Sequence, residues 1–235
     1  MNATARSGPK AASRAWHVSA AVAAALALSA PGSHAAGAPA WASLGVTAGS
    51  TQVDGRLSRY AWDTAPRAAF GAFATAGRGP LELGLRAWRS STVQHVELPG
   101  ASVSPAVRST TLELLARAHV ATVLGTRASV QASAGRLRLD YRPSHLSIVP
   151  DGLGTPIDVT FAPVSEWVAG GGVALRHALP GRFSAGLAVD RQFFALDTAH
   201  RRGSEIVYSR ESFGDWSARL ELARLFSLGT KGASR

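Results

Sequence analysis

The chain has no cysteine, very little lysine, one methionine and only 7% aromatic residues. Without cysteine there is no disulfide, thiolate metal site or cysteine nucleophile, and no attachment point for a lipoprotein's lipid. No window strings together the roughly 18 apolar residues of a spanning helix, which excludes a helical membrane protein. Walker loop, dinucleotide fingerprint and HExxH motif are all absent. The seven histidines are dispersed, so neither a metal nor another cofactor is expected. Charge clusters are lacking too. The formal charge is +10, but three of the bases (Arg6, Lys10, Arg14) fall in a targeting segment, and the rest are mostly single arginines at strand spacing. Nucleic-acid binding needs a basic run or face, and is not expected.

What is present begins with a secretory signal. A basic stretch ends at Arg14, and an apolar stretch follows whose core, 18–28, is too short to span a bilayer. "PGSHA" then places Ser33 and Ala35 at the −3 and −1 positions of a small-residue cleavage site. The expectation is a signal peptide over 1–35 and one domain over 36–235.

That domain alternates. In "LELGLRAWRS" (81–90), Leu81, Leu83, Leu85 and Ala87 share one parity, with Glu82, Gly84, Arg86 and Trp88 on the other. Strict alternation predicts a strand. Seven further segments behave alike, starting near Trp41, Ala68, Thr110, Arg127, Ser165, Arg182 and Asp215. In the fifth, "RASVQASAGRLRLDY", the apolar parity changes after Gly135, from Ala128, Val130, Ala132 and Ala134 to Leu137, Leu139 and Tyr141. A change at glycine predicts a β-bulge. The connections alternate as well. Short turns at 77–80, 124–126 and 180–182 interleave with long loops at 50–67, 89–106, 143–164 and 197–212. Short turns at one end and long loops at the other is the pattern of an outer-membrane barrel, and a Greek-key sandwich has no reason to show it.

Over roughly 41–228 the chain resembles the small eight-stranded outer-membrane β-barrel proteins. The resemblance implies an all-β, eight-stranded antiparallel up-and-down transmembrane barrel in the outer membrane of a Gram-negative bacterium. Outer-membrane lipid and lipopolysaccharide would be its surroundings, and a surface ligand would engage the long loops. Two features depart from the family: aromatic girdles would be thin, and nine residues follow Phe226.

The polar parity, followed through the change at Gly135, holds seven acids and seven bases. They are Glu82, Glu113, Asp140, Glu166, Asp190, Asp215 and Glu221, with Arg86, Arg117, Arg127, Arg136, Arg138, Arg176 and Arg219. Balance in so basic a chain predicts a closed lumen, where an unpaired charge is costly and a paired one is tolerated. Arginine suits planar two-point pairing. The opposite parity is nearly free of charge and predicts a lipid face, with Arg191 and Arg224 as exceptions near its ends.

Two loop patterns are candidate sites. "PSHLSIVPDG" carries His145 and Ser147, with Asp158 downstream. Their order is similar to that of the eight-stranded lipid A deacylases. That resemblance implies His145 as general base, Ser147 as nucleophile and Asp158 as orienting acid. Ile148 stands where that family has an amide residue, and an ordinary loop is the plainer reading, so no enzyme is expected. The fourth loop gathers Arg201, Arg202 and Arg210, candidates for anion contact. The expected role is structural or surface-interacting. A lipid-modifying enzyme, a small pore and a soluble β-sandwich or ligand-binding barrel are the alternatives.

Overall fold

The computed structural model describes residues 40–98, 101–149, 154, 156–202 and 205–228. The expected signal segment lies outside the described residues. Twelve strands are described: β1 (Ala40–Gln52), β2 (Arg67–Arg78), β3 (Leu81–Val93), β4 (Val96–Leu98), β5 (Ala101–Val103), β6 (Ala106–Val123), β7 (Thr126–Arg142), β8 (His145–Ile148), β9 (Ile157–Thr160), β10 (Val164–Leu179), β11 (Phe183–Arg202) and β12 (Glu205–Ser227). Eight of them close a barrel in the order β1-β12-β11-β10-β7-β6-β3-β2, every pair antiparallel. β4–β5 and β8–β9 are small hairpins within the second and third long connections.

The register fixes the tilt. Stepping from partner to partner around the wall runs Ser184, Ala223, Gly45, Phe73, Arg86, Glu113, Gly135, Val168 and back to β11 at Phe194. The circuit returns ten residues beyond its start. With eight strands, ordinary rise and ordinary spacing, that stagger tilts the strands by roughly 41°. The short turns behave as their sequences require: Gly125 and Gly181 sit at φ 76° and 74°, which side chains with a Cβ rarely adopt.

Burial is inverted relative to a soluble barrel. Leu83, Leu114 and Leu220 are 67%, 68% and 66% exposed, while Arg86 and Arg219 are 0% and 1% exposed. Along β12 the outward residues are Trp216, Ala218, Leu220, Leu222, Arg224 and Phe226, with the Arg224 guanidinium 5.6 Å from the Phe226 ring centre at the short-turn end. Ten residues at that tilt give an outward band about 25 Å tall, the height of a transmembrane barrel's apolar belt. Exposing that many leucines to water would be strongly unfavourable. The architecture is therefore a transmembrane-type, eight-stranded up-and-down barrel.

One sequence expectation fails. β7 has no bulge at Gly135, because its pairing with both neighbours runs unbroken through that residue. Leu137 and Leu139 are buried inside, while Arg136 and Arg138 face out. Gly135 is there for another reason: it lies opposite Glu113, and a Cβ would come within 1.9 Å of the Leu112 carbonyl oxygen. The register does shift in β6, between His119 and Ala121.

Candidate functional site

The lumen has two layers. In the layer nearer the short turns, register sets the first contacts. Glu82 faces Arg117 across β3–β6, and Arg86 faces Glu113 four residues further up. Shear then brings in charges from the far wall. One quartet is Arg86, Glu113, Asp190 and Arg219. Arg86 donates to Glu113 through Nε and Nη2 (2.9 and 2.6 Å to Oε2), and through Nη1 to Asp190 (3.2 Å). Arg219 pairs with the same Asp190 oxygen. The second quartet is Glu82, Arg117, Arg176 and Glu221. Arg117 reaches Glu221 at 2.5 Å and Glu82 at 3.6 Å, while Arg176 reaches them at 3.5 and 3.2 Å. Gln131 joins the quartets, accepting from Arg117 Nε at 2.7 Å and donating to Asp190. Gln192 donates to Glu113.

Each quartet has two acids and two arginines, so the layer is neutral. Two aromatic faces complete it. Arg117 and Arg176 lie 5.8 and 5.9 Å from the Phe73 ring centre, and Arg219 lies 5.4 Å from that of Trp88. Glycines give these side chains room: Gly49 sits opposite Arg219, and Gly172 opposite Asp190.

The layer toward the long loops is apolar. Val107, Leu137, Leu139, Val168, Phe194, Leu196 and Phe213 point inward from five strands. Leu57 (1% exposed) and Trp62 enter this cluster from the first long connection. That connection forms a 3₁₀ turn, Gly55–Tyr60, which Asp54 caps by accepting from the Arg56 N–H at 2.9 Å. The cap is tied to β12. Asp54 also accepts from the Gly214 N–H (3.1 Å), Arg56 donates to the Ser212 carbonyl (2.7 Å), and the Tyr60 hydroxyl donates to Glu211 (2.7 Å). Hydrogen bonds from Arg56 hold the Asp54 carboxyl down at about 2, below its ordinary 3.8. A cavity of about 20 Å³ remains beneath Leu57 and Trp62, reached by Asp215 and Thr51. That is room for about one water.

Nine of the fourteen proposed lumen residues stand in the lumen: the eight of the quartets, and Asp215 at the boundary between the layers. The other five do not. Arg136, Arg138 and Asp140 are on the outer wall, as the unbroken β7 register requires. Arg127 is exposed at the short-turn rim. Glu166 is at the loop mouth, where Arg210 donates to it. Gln131, Gln192, Phe73 and Trp88 were not expected in the network; Gln131, Gln192 and Trp88 share the parity of expected residues on their own strands, and Phe73 stands on β2, where none was expected. Leu57 and Trp62 carry no alternation and gave no signal.

The loop candidates separate similarly. His145 and Asp158 meet across the β8–β9 hairpin, Nε2 to Oδ1 at 3.7 Å, with side chains 59% and 66% exposed. Among the described residues Ser147 is the cross-strand partner of Asp158 and makes no hydrogen bond to His145. Asp151, the acid within "PSHLSIVPDG", lies outside the described residues. Arg210 pairs with Glu166 and with Asp197 (3.0 Å to the latter). The side chains of Arg201 and Arg202 lie outside the described residues.

Among solved structures the chain is similar to small outer-membrane β-barrels. Against the neisserial surface protein A (NspA) the identity is 7%, over 80% of this chain and 97% of that one, with TM-score 0.49. Against the N-terminal barrel domain of Pseudomonas aeruginosa OprF it is 15%, over 78% and 97%, with TM-score 0.35. Against Ail, the attachment invasion locus protein of Yersinia pestis, it is 11%, over 80% and 99%, with TM-score 0.35. Likeness this distant assigns neither a family nor an activity. No protein-family model and no curated protein matches the chain.

Proposed function

We propose that the chain is exported by a signal segment over 1–35 and resides in the outer membrane of a Gram-negative bacterium. There it serves as a closed barrel with a structural or surface-interacting role, its long connections facing outward. The observation that carries this reading is the filling of the lumen. Two neutral charge quartets block one half, and an apolar cap seated on the wall blocks the other. A barrel filled in this way has its exterior wall and its loops left to act through. Outer-membrane lipid, lipopolysaccharide and a loop ligand are the partners proposed.

Cell fractionation and electrophoresis test the placement. The protein is expected with outer membranes, migrating differently before and after boiling, and recovery as a soluble periplasmic protein would overturn it. Planar bilayers test the closure: reconstituted protein is expected to be silent, and steady conductance would refute a closed lumen.

A further inference from the structure

The corrected register of β7 brings arginines together on the outer wall. The last apolar row of β3 and β6 pairs Ala87 with Leu112, whose next partner is Arg136. The next outward row, two residues toward the long loops, reads Arg89, Thr110, Arg138, Ser165 across β3, β6, β7 and β10. One row higher, Arg108 lies between Ser91 and Asp140. Four guanidinium groups therefore crowd the top of the apolar belt on adjacent strands. Asp140 is the one acid among them, and it accepts from Arg138 at 2.9 Å. Among the described residues Arg89, Arg108 and Arg136 have no carboxylate within 4.0 Å. Arg136 is held 4.6 Å from the ring centre of Trp167, which is itself 69% exposed.

This placement is costly without an anion. Arginine beside hydrocarbon is unfavourable unless its head reaches the interface and finds a counter-charge. Arg89 and Arg138 are two strands apart, about 10 Å at ordinary strand spacing. That span suits the phosphate groups of a lipid headgroup, which guanidinium binds two oxygens at a time. Tryptophan beside such a site belongs to the same level, since its ring favours the membrane interface.

We infer that Arg89, Arg108, Arg136 and Arg138, flanked by Trp167, form a docking surface for the phosphorylated headgroup of a lipid in the leaflet on the long-loop side. The inference rests on the membrane placement proposed above and names one of its lipid contacts.

The test is native mass spectrometry of the protein released from detergent micelles doped with diphosphoryl lipid A, with its dephosphorylated form, or with phosphatidylcholine. The wild-type protein is expected to retain diphosphoryl lipid A at least tenfold more than either other lipid. Arg89→Gln/Arg136→Gln/Arg138→Gln is expected to lose that preference. Arg78→Gln/Arg182→Gln, at the opposite rim, is expected to keep it. Equal retention by the triple variant, or equal retention of the dephosphorylated lipid, would overturn the inference. So would release of the lipid by 10 mM inorganic phosphate, which would make the site one for free phosphate. Insertion into phosphatidylcholine vesicles with heat-modifiable migration is read in parallel. Wild-type protein that inserts but shows no preference speaks against the docking surface alone, whereas failure of the wild type to insert speaks against the membrane placement.

Discussion

The two halves of the lumen solve one packing problem with opposite chemistry. Toward the short turns, strands alone supply eight charges that neutralise one another. Toward the long loops, strands supply apolar side chains, and a loop delivers Leu57 and Trp62 to finish the job. The first half is part of the wall and comes apart only with it. The second depends on a segment that can undock while the wall stays closed. One should therefore answer to global unfolding and the other to local opening.

The largest effect is expected where a charge is orphaned. Arg86→Ala leaves Glu113 and Asp190 short of a buried partner. Removing one member of a buried pair costs about 3–5 kcal/mol. Urea unfolding of the reconstituted protein, followed by the heat-modified gel shift, should show a loss of that size. Arg86→Ala/Glu113→Ala should recover part of it. If the double variant is as unstable as the sum of the singles, the quartet is not an energetic unit.

The cap should respond differently. Leu57→Ala removes a side chain that is 1% exposed within the apolar cluster. Truncations of this kind cost about 2–5 kcal/mol, and here the cost should fall on loop docking. Hydrogen exchange should quicken at the Trp62 amide, which donates to the Leu57 carbonyl at 3.2 Å. The urea midpoint of the wall should barely move. A midpoint shift as large as that of Arg86→Ala would show that the halves are one cooperative unit.

The same division explains what was legible in the sequence. Strand number, the alternation of short and long connections, and the inward parity of β1, β2, β3, β11 and β12 could all be read from apolar period and turn residues. β7 could not. Leu137 and Leu139 have the hydropathy of lipid-facing residues because the upper lumen they enter is itself apolar. Arg136 and Arg138 have the hydropathy of lumen residues because the wall at their level has risen above the belt. Polarity inverts with height along the barrel, and an alternation pattern registers that inversion as a change of face. The cap was hidden for another reason. Leu57 and Trp62 owe their burial to where the loop folds back, and no period encodes that.

Acid offers a gentler probe of the cap. Asp54 is the cap's hinge to β12, and Arg56 holds its carboxyl at about 2, below the ordinary 3.8. A carboxyl lowered in the folded state contributes stability that is complete above its unfolded value and is lost as pH falls through the folded one. Protection of the Leu57 amide, corrected for intrinsic exchange, should therefore be flat from pH 8 to about 5 and decline between about 4 and 2. Asp54→Asn should weaken docking by about 1 kcal/mol, the usual scale for a lost cap, and abolish the acid-dependent decline. A decline that persists in this variant would assign it to another group.

The smallest effect is expected from the lumen aspartate that belongs to neither half. Asp190 sits among Arg86, Arg219 and Gln131. Asp215 borders the small cavity under the cap, and its buried Oδ1 has no hydrogen-bond partner among the described residues. A buried carboxylate without a cation is a cost to the fold, and an amide of the same shape relieves it. Asp215→Asn should accordingly change the unfolding free energy by no more than about 1 kcal/mol, and in the stabilising direction. Asp190→Asn should destabilise by several times that, because it strips two arginines of a shared anion. The two isosteric substitutions differ in what surrounds the carboxylate, two arginines at Asp190 and a cavity wall at Asp215. If they prove equally damaging, the boundary drawn between a charged and an apolar lumen lies in the wrong place.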